Sequence, residues 1–279
     1  GLFGVLWAIT ELATYPFSAS IAGFLAGGVV LIAAFALIEL RQAEPMLPLS
    51  IFRIPSMTPS LLASLFQGLA NYAVLFLVIM YLQGPRGLSP IHASLLLVPG
   101  YVIGAAAGPY AGRLADRRGP VLPATAGLAI QVIALLIYAQ LGLRTALWVV
   151  IVASIVNGVG ASFFFPANNS AVMKASPREV FGISSGMLRT FANIGMVFSF
   201  SVAILIASRT IPRQLAFAIF VGTTSLHGAL ASAFTTGLHA AFYASMGFMA
   251  LAAGLSAVRA AGPAGAPGEK KPAAPNARV

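Results

Sequence analysis

Long uncharged runs recur along this chain, and each ends in residues that stop or turn a helix. Residues 18–38 form the first complete run. Others follow at 60–83, 91–112, 121–142, 146–168, 181–208 and 237–258. Each holds about 20 residues or more, enough to cross roughly 30 Å of hydrocarbon as α-helix. Helix is the expected element, because an open sheet edge in lipid leaves backbone groups unpaired. The short alternating strands of a membrane barrel are not visible. Thr58-Pro59, Ser89-Pro90 and Ser176-Pro177 each set a capping hydroxyl before a proline at a first helical position, and Ser176 to Glu179 has capping-box spacing. Gly1 to Ile9 is apolar but about half a span, and reads as the far end of a helix. Residues 209–236 lose charge after Arg213 and gain Gly, Ser and Thr. They read as an amphipathic or re-entrant segment along one surface, with a further full span as the alternative. The stretch from Gly262 (GPAGAPGEKKPAAPNARV) reads as a disordered, solvated tail. Three units follow: 1–57, a partial helix, one full span and a linker; 58–259, a six-helix bundle; and 260–279, the tail.

Composition fixes the class. Apolar residues make up 59% of the chain and charged residues 8%, with a mean hydropathy of +0.92. A soluble domain is about a quarter charged. The fold class is therefore an all-α polytopic membrane protein, with lipid as a partner. The chain holds no cysteine, which excludes disulfides and thiolate metal sites. Its net charge of +10 does not point to nucleic acid, because the basic residues punctuate apolar runs instead of clustering with stacking aromatics. In a membrane protein they set orientation. If the chain changes sides at each run, twelve of the sixteen basic residues share one side, among them Arg53, Arg113, Lys174, Arg178 and Arg259. The positive-inside rule makes that side cytoplasmic and puts the C-terminus there. The expected location is the cytoplasmic (inner) membrane, crossed many times.

One short stretch breaks the apolar pattern. "GRLADRRGP", residues 112–120, carries Arg113, Asp116, Arg117 and Arg118 between Gly112 and Gly119. It reads as a cytoplasmic turn. A short loop of any polytopic protein explains the arginines, but not Asp116 or the glycine spacing. Asp116 is placed to face the positive end of a nearby helix. Gly104, Gly108 and Gly112, at intervals of four with Pro109 among them, read as a packing groove with a possible bend.

This stretch resembles the G-x-L-x-D-R-x-G loop of the major facilitator superfamily. Other stretches resemble the family's branch of drug:proton antiporters with 14 membrane segments. They are Glu39-Leu-Arg41 with Glu44-Pro45 to Phe52-Arg53, Tyr81-Leu-Gln83 with Gly87-Leu-Ser89-Pro90, and Gly158-x-Gly160 with Pro166, Gly182, Ser185-Gly186, Asn193 and Gly195. The match runs from about Gly1 to Arg259. The resemblance implies the C-terminal half of a major facilitator fold plus the extra central hairpin. The N-terminal half of the same chain would then be a partner lying outside this sequence. It implies a secondary transporter, a small-molecule substrate and proton-coupled efflux by alternating access. The gradient is the energy source and no cofactor or metal is expected. The loop Gly112, Arg113, Asp116, Arg117, Arg118 and Gly119 would gate the conformational change.

The same resemblance puts the runs at 60–83, 91–112, 146–168 and 181–208 around a central cavity, and those at 121–142 and 237–258 outside it. Gln67 and Asn71, four apart on one face, and Asn157, Arg189 and Asn193 are the candidate substrate contacts. Interhelical hydrogen bonding is the plainer role for Gln67 and Asn71, and a snorkelling arginine the plainer role for Arg189. Gln131, on an outer run, reads as interhelical glue. Phe163, Phe164 and Phe165 read as lipid-facing or core, with stacking on a drug as the alternative. All six acidic residues are read at run ends or in loops, so a coupling carboxylate is expected outside this segment. No nucleophile–base or metal constellation is visible, which argues against an enzyme. Two rivals remain: a facilitator for a metabolite or sugar, and a seven-span scaffold or subunit.

Overall fold

Helices packed in lipid gain little from burying one apolar surface on another, so close approach of small residues and interhelical hydrogen bonds decide the arrangement. The computed structural model of the chain describes residues 1–14, 17–42, 49–210, 219 and 226–259. We number its α-helices α1 (Leu2–Thr14), α2 (Ala19–Glu39), α3 (Met57–Gln83), α4 (Pro90–Leu95), α5 (Val98–Arg118), α6 (Val121–Tyr138), α7 (Leu147–Ala175), α8 (Phe181–Thr210) and α9 (Gly228–Val258). No strand occurs among the described residues. Six helical stretches among them are long and apolar enough to cross a membrane, with α4 and α5 acting as one. The remaining expected span, 181–208, is the 30-residue α8. The chain is thus an all-α polytopic membrane protein.

Several boundaries move for identifiable reasons. Pro99 has no N–H to give the Leu95 carbonyl, and in a continuous helix its ring would clash with that carbonyl, so the expected run 91–112 breaks into α4, which ends at Leu95, and α5. Helix α5 then continues through the charged stretch to Arg118. Most of "GRLADRRGP" is therefore helix, and the turn is confined to Gly119, whose φ of +83° suits glycine, and Pro120. The expected run 237–258 begins instead at Gly228. Of the segment 209–236, residues 209–210 belong to α8 and 228–236 to α9, while 211–218 and 220–225 lie outside the described residues. So does the tail, 260–279. Ser89 caps α4 as expected, accepting from His92 N at 3.4 Å. The other two caps do not form. Thr58 Oγ1 donates to Phe52 O at 2.9 Å and Met57 already starts α3. Ser176 closes α7, its Oγ donating to Val172 O at 2.7 Å and lying 2.8 Å from the Ser184 hydroxyl.

The bundle centres on α3, which packs on α8, α9 and α7, while α7 packs on α6 and α5. Tyr81, Phe164, Phe234 and Phe242 are its largest fully buried side chains. Glycine sets the closest approaches. A Cβ at Gly104 would lie 2.7 Å from Gly158 O where α5 crosses α7. One at Gly68 would lie 2.7 Å from Ala192 O where α3 crosses α8. The expected groove of Gly104, Gly108 and Gly112 is only partly realised: Gly100 and Gly104 face α7, whereas no described atom lies within 4 Å of a Cβ at Gly108 or Gly112. Helices α1 and α2 form a hairpin that touches the bundle through α1 and α8. Val29, Val30, Leu31 and Leu37 on α2 are exposed, as suits a lipid-facing helix.

Hydrogen bonds tie each end of the bundle. At one end Tyr81 Oη donates to Gly142 O, Arg86 Nη1 to Leu143 O, and His239 Nε2 meets Leu141 O, each at 2.7 Å. At the other end Arg259, just past α9, is buried. Its Nη1 donates to Ser60 Oγ at 2.8 Å and Asn168 Oδ1 at 2.6 Å, and its Nη2 donates to Ser256 Oγ.

Candidate functional site

Polar side chains at membrane depth need partners, and a cluster of four amides meets that need between α3, α6 and α7. Gln67 and Asn71 stand one turn apart on α3. Gln131 comes from α6 and Asn157 from α7. Gln131 Nε2 donates to Asn157 Oδ1 at 3.2 Å and to Asn71 Oδ1 at 3.3 Å. Asn157 Nδ2 donates to the same Asn71 oxygen at 3.0 Å. Gln67 Nε2 donates to Gln131 Oε1 at 3.4 Å. Gln67 and Gln131 are buried, while Asn71 and Asn157 are partly exposed.

The exposure of the two asparagines opens on a cavity of about 410 Å³ between α3, α5 and α7. That volume lies within the usual range for small-molecule sites. Asn71 and Asn157 are its amide groups, Ser154 and Ser162 add hydroxyls, and no charged residue lines it. Tyr72, Tyr101, Tyr138 and Phe165 bring aromatic rings from four helices. Phe165 is therefore a cavity residue, Phe164 is fully buried core, and Phe163 meets Tyr110 with ring centroids 6.0 Å apart. The Gly104–Gly158 contact holds α5 against α7 at the cavity's back, and both glycines line it. A larger hollow of about 510 Å³ between α1 and α2 is lined mainly by glycine and apolar residues, so it offers a ligand little direction.

The expected substrate residues divide into two groups. Gln67, Asn71 and Asn157 come together. Arg189 and Asn193 do not join them: both are exposed on α8, on a stripe with Gly182, Ser185, Gly186 and Thr190. The cause is the packing of α8. Gly195 and Gly68 press it against another face of α3, so α8 contributes nothing to the cavity lining, contrary to the expectation. Helix α6, expected outside, contributes both Tyr138 and the hub Gln131. Gln131 is interhelical glue as read, but its position at the centre of the amides was not visible in the sequence. The second cluster, where Asn168 Nδ2 donates to Ser60 O at 3.2 Å and Ser64 Oγ at 2.8 Å beside Arg259, was missed entirely. Ser60 and Ser64 stand four apart on α3, but Asn168 and Arg259 come from other elements at no characteristic spacing.

The charged stretch sits at the end of α5. Arg113, Asp116, Arg117 and Arg118 are exposed, and their side chains form no hydrogen bond or ion pair among the described residues. The expected contact of Asp116 with a helix N-terminus is therefore not made within them. Pro109 lies inside α5 and is exposed. Of the acidic residues, Glu11 is in the last turn of α1 and Glu39 is the buried final residue of α2. No group of three or more His, Cys, Asp or Glu among the described residues could hold a metal.

Comparison with known proteins places this geometry. The sequence profile of the Major Facilitator Superfamily matches residues 1–200. The chain belongs to that superfamily. It is 28% identical over 193 residues to the tetracenomycin C resistance and export protein of Streptomyces glaucescens, which covers 67% of this chain and 35% of the relative. It is 26% identical over 193 residues to the multidrug efflux pump LfrA of Mycolicibacterium smegmatis, covering 69% and 38%. It is 25% identical over 244 residues to the lincomycin resistance protein LmrB of Listeria monocytogenes, covering 85% and 52%. These relatives are named for export, efflux and resistance, not for an enzymatic reaction. The chain spans about a third to a half of their length.

Proposed function

We propose that this chain is the C-terminal portion of a 14-segment secondary transporter that exports drugs or other amphipathic small molecules. The observation that carries the reading is the uncharged, aromatic-lined cavity with two asparagine amides, set in a major facilitator chain whose named relatives confer resistance or efflux. Aromatic rings give broad, shape-tolerant contact, and a few amides orient the substrate. Rocking of this half against the N-terminal half would expose the cavity to each side in turn.

The proton gradient is the proposed energy source. Neither the cavity nor the amide cluster contains a carboxylate or histidine. The coupling group then belongs to the N-terminal half. The charged end of α5, Gly112 to Gly119, is proposed to gate the motion, with the C-terminus on the cytoplasmic side of the inner membrane. The facilitator and scaffold readings have no support from the relatives' names.

The test is export from cells expressing the complete gene in a host stripped of its own pumps. Accumulation of an aromatic dye should fall on expression. Collapse of the proton gradient by an ionophore should restore it, and so should Asn157→Leu. Export that survives the ionophore would refute proton coupling. Export unchanged by Asn157→Leu would refute the cavity as the site.

A further inference from the structure

Each of the four hydrogen bonds joining Gln67, Gln131, Asn71 and Asn157 sets an amide nitrogen against an amide oxygen. Turning one amide alone puts like atoms together and leaves a buried polar atom unpaired. Turning all four restores every bond with donors and acceptors exchanged, because each amide carries both. The cluster therefore has two polarities and no satisfied state between them. In the polarity described above, Asn71 Oδ1 takes two bonds. Its Nδ2 group, without a protein partner among the described residues, remains for the cavity that Asn71 lines. In the reverse polarity Nδ2 is engaged and Oδ1 remains.

We propose that this amide cluster is the specificity element of the cavity. Gln131, which does not line the cavity, sets the orientation of Asn71 and Asn157 from behind. The ligands are neutral, planar aromatic molecules bearing either a hydrogen-bond acceptor or a donor. Neutrality follows from the lining, where an ion would lose its hydration without meeting a counter-charge. Planar aromaticity follows from Tyr72, Tyr101, Tyr138 and Phe165 around a space of about 410 Å³. Tolerance of both ligand polarities follows from the concerted reversal, which keeps every internal bond. An arginine or a carboxylate in the same place would accept only one. The proposal rests on reading the cavity as the substrate site.

Three tricyclic probes separate the possibilities: anthracene, with no hydrogen-bonding group; anthraquinone, with acceptors only; and carbazole, with one N–H donor. Saturable binding is measured on the complete protein in lipid nanodiscs. Anthraquinone and carbazole should each bind on the order of tenfold more tightly than anthracene. In Gln131→Met both advantages should shrink together, to about threefold or less, as the asparagines lose their preorganisation. Anthracene affinity should not change. Gln67→Met, which leaves the hub in place, should give a smaller loss for both probes, and it carries the test if Gln131→Met does not fold. Loss for one hydrogen-bonding probe alone would show a fixed polarity. Equal loss for all three would show a packing role, and an unchanged profile would show no coupling. Each of these outcomes overturns the proposal. Wild-type protein that binds all three probes equally overturns it too, but leaves the cavity as the site. Wild-type protein that binds none overturns the site reading itself.

Discussion

Arg259 follows a long run of small and apolar residues, and by charge alone it belongs with the basic residues expected on the cytoplasmic side. The fold instead folds it back onto α3 and α7. Burial lowers its pKa to about 10, so it stays charged at neutral pH with hydroxyl, amide and carbonyl partners. A planar guanidinium reaches several acceptors at once, and a lysine ammonium does not. Arg259→Lys should therefore lower the thermal unfolding midpoint of the detergent-solubilised protein, at a cost of about 1–3 kcal/mol. An unchanged midpoint would show that the fork does not stabilise the bundle. This residue also marks a limit of reading from sequence. Gln67 and Asn71 were visible as a pair because helix geometry makes residues four apart neighbours. Arg259, Ser60 and Asn168 come from distant elements at no characteristic spacing, so only the packing reveals them. Gln131 stands between these cases: its need for a partner at depth was legible, but not which partners.

At the scale of elements, the same stripe of glycines divides in two. Gly104 meets the α7 backbone, and Gly108 meets nothing described. Interval-of-four spacing shows that a helix has a small-residue face, but not where along that face another helix crosses. Gly104→Ala should destabilise the complete protein by about 1–3 kcal/mol through overpacking. Gly108→Ala should leave its unfolding midpoint unchanged or raise it, since alanine favours helix. The reverse order would mean that the α5–α7 crossing is misplaced. The expected break between runs was legible at Gly119-Pro120, yet the charged residues before it turned out to be helix. Asp116 thus sits exposed on a helical extension of α5, where the proposed gating would have it act on another element. Asp116→Asn should slow transport several-fold while leaving substrate affinity within about twofold. Equal transport rates in mutant and wild type would remove the gating role.

On the scale of the whole molecule, most of the architecture could be read from runs of apolar residues, because lipid demands about 20 of them per crossing. Hidden from that reading were the kink at Pro99, the extra length of α5, α7 and α9, and the exchange of roles between α6 and α8. These depend on which faces glycine lets approach, a property of pairs of helices and not of one sequence window. The exchange bears on function, since the cavity between α3, α5 and α7 is completed by Tyr138 of α6, and the polar stripe of α8, with Arg189 and Asn193, is left outside it. Where an aromatic substrate sits is therefore the most direct question. The measurement is photolabelling of the complete protein with benzophenone in nanodiscs, followed by peptide mapping. Labels should concentrate on Tyr72 to Val78, Tyr101 to Ala105 and Asn157 to Pro166, and fall away in Asn157→Leu. Labels confined to the outer face of α2 or to the exposed stripe of α8, unaffected by that substitution, would contradict the cavity as the substrate site.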